Sequence, residues 1–103
     1  MHRLIASKQE EIAVICRRHR VERLEVFGSA ARGTDFDPSS SDADFLVEFK
    51  PPLLPDLFDR KVQMLEDLQM LLGRKVDLVR SGTIRNPYRK KSIDKDREVV
   101  FDG

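Results

Sequence analysis

Two aspartates stand inside a segment that otherwise reads as a buried strand. In the run from Asp42 to Phe49, Ala43, Phe45, Val47 and Phe49 alternate with Asp42, Asp44, Leu46 and Glu48, the period of two that marks a β-strand. Asp is disfavoured in strands, and residues two apart share a face with Cα atoms about 6.6 Å apart. Asp77 repeats the anomaly between Val76 and Leu78. A helical segment between these strands would return the chain beside the first and bring Asp77 to the same face. Three such carboxylates repel, and a divalent cation is the simplest compensation. Oxygen-only ligands favour Mg²⁺, with Mn²⁺ as a substitute.

The rest of the chain fits this frame. Ser7-Lys8-Gln9-Glu10 has the form of a capping box, and Ile12, Ile15, Cys16 and His19 follow at helical spacing. Leu4 and Ile5 either extend that helix backward or pack against its start. Leu24, Val26 and Phe27 read as a short strand ended by Gly28, with one helical turn over Ser29–Arg32 and a loop over Thr34–Ser41. After Pro51, Pro52 and Pro55, the positions Leu57, Phe58, Val62, Leu65, Leu68, Leu71 and Leu72 predict one apolar helical face, with Gly73 as its left-handed end. Lys75–Val79 predicts a strand, and Asn86-Pro87 starts a helix to about Asp96. Glu98 to Phe101 is a short extended piece. The expectation is an α/β fold, a three-stranded mixed sheet flanked by helices, with residues 1–103 forming a single domain.

Charge narrows the function classes. The net charge is +1, from 19 basic and 18 acidic residues. Thr34–Phe49 holds five acids and no Lys or Arg, whereas Arg80–Glu98 holds seven basic residues and three acids. An acidic centre suits a cation site. Duplex binding, which needs basic dominance over a face, is not expected. No apolar run approaches the ~20 residues of a membrane span, and the N-terminus lacks the pattern of a secretory signal. The single Cys16 excludes an internal disulfide, so the expected location is the cytoplasm and the expected role of Cys16 is a buried hydrophobe. His2 and His19 lack partner spacing and read as structural or surface residues; Met64 and Met70 read as packing residues of the long helix.

A phosphate cradle completes the constellation. Gly28-Ser29 ends a strand and opens a helical turn, where backbone amides face an anion. Arg32, one turn on, offers a charged fork. Acids for a metal and amides for phosphate on adjoining strand ends describe a nucleoside-triphosphate site.

These motifs, Gly28-Ser29-Ala30-Ala31-Arg32-Gly33, Ser41-Asp42-Ala43-Asp44-Phe45-Leu46-Val47 and Val76-Asp77-Leu78-Val79, resemble the minimal nucleotidyltransferase (MNT) domain of the polymerase-beta superfamily. The segment Ala30–Ser41 is two residues longer than the family's usual spacing. The resemblance implies transfer of AMP from ATP with release of pyrophosphate. Asp42, Asp44 and Asp77 would be catalytic and would hold Mg²⁺, and Gly28, Ser29 and Arg32 would bind the phosphates. Proteins of this type often act as antitoxins beside a HEPN-domain ribonuclease toxin and modify a tyrosine hydroxyl on it. A bare core implies an acceptor that brings its own docking surface, as a hetero-oligomer with the toxin, and homo-oligomers stay open. The basic Arg80–Arg97 region and Tyr88 are candidates for that surface, or belong to a terminal helix that only packs on the sheet. The alternative is a weakly active or inactive antitoxin that neutralises the toxin by masking it.

Overall fold

A computed structural model describes residues 2–32, 43–52 and 55–103. The elements run α1 (Arg3–Ala6), α2 (Gln9–Arg18), β1 (Val21–Phe27), α3 (Ser29–Arg32), β2 (Ala43–Phe49), α4 (Leu57–Leu72), β3 (Val76–Arg80), α5 (Pro87–Asp96) and β4 (Glu98–Asp102). The sheet order is β3-β2-β1-β4. β1 is antiparallel to β2 and to β4, and β2 is parallel to β3. A parallel pair needs a long crossover, and α4 supplies it.

The sheet has four strands rather than three. The extended piece at the chain end pairs with β1 from Arg23 to Val26, and so covers an edge that would otherwise expose unpaired backbone groups. Val100 points into the core and is buried.

Strand alternation divides the sheet into two faces. On one, Leu24, Val26, Ala43, Phe45, Val47, Phe49, Val76 and Leu78 pack with Ile12, Ile15 and Cys16 of α2 and Met64, Leu68 and Leu72 of α4. On the other, Phe27 and Leu46 form a small cluster with Ile93 of α5, flanked by Val79 and Ile84. The opposite parity of the same strands carries Asp44 and Asp77.

Three local expectations change. Ser7 does not cap α2: Lys8 is at its N-cap without a side-chain bond. The His2 Nδ1 accepts the Leu4 N–H at 3.0 Å and starts a separate turn, α1, whose end is Ser7 with its hydroxyl donating to the Leu4 carbonyl at 3.1 Å. Ile5 of that turn is fully buried. On α4, Phe58 and Val62 are turned outward, 75% and 38% exposed, and Met70 is 84% exposed. At about 100° per residue they lie roughly 80°, 120° and 160° from Leu68, off the buried stripe. The ends of α4 and α5 follow the sequence: Gly73 has φ 66°, and the Asn86 side chain accepts from the N–H groups of Tyr88 and Arg89.

His19 is buried at the end of α2, and its Nε2 lies 2.7 Å from Asp67 Oδ2 on α4. The bond joins the two helices beneath the sheet. Asp67→Ala leaves a buried imidazole without this partner and is expected to cost about 1–3 kcal/mol. Urea unfolding measures it, and an unchanged midpoint would show that the bond adds nothing.

Candidate active site

Asp44 and Asp77 are register partners across the parallel β2–β3 pair. Neighbouring strands run about 4.8 Å apart with partner side chains on one face, so the two carboxylates sit side by side as the sequence anticipates. Asp44 also pairs with Phe27, the last residue of β1. Gly28 follows at φ +69°, and a Cβ placed on it would lie 2.9 Å from Asp44 Oδ2. The glycine turn is thus pressed against the carboxylate, and Ser29 begins α3 directly after it. The N–H groups of Ala31 and Arg32 donate to the Gly28 carbonyl, each at 3.1 Å, which closes the turn.

Four of the six sequence candidates therefore meet at one corner: Gly28, Ser29, Asp44 and Asp77. Asp42 and the lengthened part of the loop lie outside the described residues. Arg32 ends α3, and its Nη1 donates to Asp96 Oδ2 of α5 at 2.5 Å.

Helix α5 lies over this face and brings charges that the motif pattern did not single out. Arg89 Nη2 is 3.8 Å from Asp77 Oδ2. Arg97 Nε is 3.2 Å from Oε2 of the buried Glu25. The available signal was the basic run after β3, together with the Asn86-Pro87 helix start that fixes which turn carries Arg89. Under α5 a cleft of about 440 Å³ is lined by Leu46, Ile84, Ile93, the Ser81-Gly82 turn and the charged Lys90, Asp94 and Arg97; neither Asp44 nor Asp77 lines it. Cys16 takes no part: burial pushes its thiol up to about 12, and it belongs to the core on the opposite face.

The residue set fits a divalent cation. Two carboxylates on one face, in register and about one strand spacing apart, form a hard oxygen donor set, and a backbone turn without a side chain stands against one of them.

Comparison with known proteins places the chain in a family. The nucleotidyltransferase domain model matches residues 10–100, a span that contains all three motifs. The chain belongs to the nucleotidyltransferase family. Among the relatives of this nucleotidyltransferase, protein adenylyltransferase MntA of Thermococcus cleftensis is 35% identical over 98 residues, covering 95% of this chain and 87% of the relative. A Methanocaldococcus jannaschii protein provisionally named protein adenylyltransferase MJ1379 is 39% identical over 94 residues, covering 84% and 91%. A solved structure provisionally described as a minimal nucleotidyltransferase superposes with TM-score 0.72 at 28% identity over 95% of each chain. The fold is also that of an MNT antitoxin solved with a tri-AMPylated HEPN toxin of Shewanella oneidensis, at TM-score 0.65 and 15% identity over 96% of this chain and 73% of that one. No helix among the described residues is long and apolar enough to cross a membrane.

Proposed function

We propose that this nucleotidyltransferase moves AMP from ATP to a hydroxyl, that of a tyrosine, on a HEPN-type ribonuclease toxin, and so acts as its antitoxin. The observation that carries the reading is the pairing of Asp44 with Asp77 against the Gly28 turn. The names of its relatives support the AMP donor and the protein acceptor: MntA is a protein adenylyltransferase, and one structural neighbour was solved with AMP-PNP.

The parts divide the work. The acceptor oxygen forms a bond to the α-phosphorus while the bond to the β-phosphate breaks and pyrophosphate leaves. The Gly28-Ser29 amides and Arg32 hold the β- and γ-phosphates, the leaving group. Asp42, Asp44 and Asp77 would hold Mg²⁺, which neutralises phosphate charge and lowers the pKa of a coordinated hydroxyl. Asp77, on the strand farther from the Gly28 turn, would help to take the hydroxyl proton. Positioning and charge neutralisation supply most of the rate.

The test is incubation with labelled ATP, Mg²⁺ and a HEPN toxin encoded beside the gene, followed by mass spectrometry of both chains. The expected result is whole AMP units on a toxin tyrosine and released pyrophosphate. Absence of label on the toxin, with toxin activity still suppressed, would replace transfer by masking.

A further inference from the structure

Helix α5 has one buried apolar residue, Ile93, so charge holds it to the sheet more than burial does. Its last turn is fixed by Arg97 on Glu25, whose side chain is only 8% exposed. The adjoining Asp96 carboxylate is 13% exposed and bonded to Arg32, which is 42% exposed. A shielded carboxylate on a tethered helix thus holds a long, half-exposed side chain at the rim of the phosphate turn.

We propose that Asp96 is a positioning residue of the triphosphate site. It fixes the Arg32 guanidinium so that this group binds phosphate without first being ordered. The inference rests on the reading of Arg32 as a phosphate ligand given above. Immobilising an arginine on a ligand costs side-chain freedom, and a carboxylate on one edge removes part of that cost in advance. The guanidinium is a planar fork with five donors, so one edge stays on Asp96 while another meets the phosphate. The opposite role, a carboxylate that competes with the triphosphate, would require stripping Arg32 away and leaving a largely buried charge uncompensated, which is costly.

The experiment is steady-state kinetics and calorimetric ATP binding on Asp96→Asn, Asp96→Glu, Arg32→Gln and the double variant, each in the full chain with Mg²⁺ and toxin. Asp96→Asn is expected to raise the KM for ATP about tenfold with kcat within about twofold. Asp96→Glu recovers part of it, and in the Arg32→Gln background Asp96→Asn adds nothing. A KM that falls identifies a competitor and overturns the proposal. So does a penalty that is the same with and without Arg32, because that reports the fold alone. If Asp96→Asn does not fold, Asp96→Glu carries the same cycle with a smaller rise. A wild-type protein that binds ATP but transfers nothing defeats the transferase reading instead, and the calorimetric cycle still decides the role of Asp96.

Discussion

Asp44→Asn is expected to lower AMP transfer by at least about 10³-fold while leaving the protein folded. The change removes one negative charge and keeps the shape of the side chain. Asp44 joins the described parts of the site: Asp77 is its partner on β3, Phe27 its partner on β1, and the Gly28 turn stands against its carboxylate. Losing that charge weakens cation binding and leaves the triphosphate unshielded at the bond that breaks. Stability should hold or rise slightly, because removing one of two like charges on neighbouring strands relieves repulsion. Labelled-AMP transfer, thermal melting and co-purification with the toxin measure the three effects. Transfer and neutralisation both lost with the complex intact would tie neutralisation to chemistry. Neutralisation that survives in the variant would make the aspartate dispensable for the antitoxin role, and the protein would act by covering its partner. Asp42→Asn, on the sequence pattern, should behave in the same way.

The sequence made this corner legible because its residues violate local preference. Apolar alternation fixes which face each strand position takes, so an Asp at position 44 or 77 is visible as an exception before any fold is known. The helix between them fixes the parallel return, and Gly73 and Asn86-Pro87 mark helix ends through backbone requirements that belong to single residues. Other features depend on partners distant in the chain. The fourth strand was hard to see because Glu98–Asp102 is short and only Val100 is buried in it; its pairing with β1 is a tertiary choice. Phe58 and Val62 differ from the buried stripe by an angle that a list of apolar residues does not resolve. The contacts of Arg89 with Asp77 and of Arg32 with Asp96 join different elements, the second pair 64 residues apart, and charge runs alone do not say which members of a run meet.

Gly28→Ala should separate backbone cost from site geometry. An L-residue at φ +69° is disfavoured by roughly 1–2 kcal/mol, and the variant should lose about that much stability. The added methyl would also stand 2.9 Å from Asp44 Oδ2. The carboxylate is the end of a short side chain, so it turns aside more cheaply than the backbone does, and the clash adds little to the stability loss. Its cost falls on function, because the displaced oxygen is the one that faces the phosphate turn. Misplacement of about 1 Å in a positioned group lowers rates by about 10², and a drop of that order in AMP transfer is expected. Gly73→Ala supplies the comparison: φ there is +66° and no atom lies within 4 Å of the added carbon. It should lose similar stability while transfer proceeds at the parental rate. Equal stability losses with transfer retained in both variants would mean that the placement of the Asp44 carboxylate against the Gly28 turn does not govern the reaction.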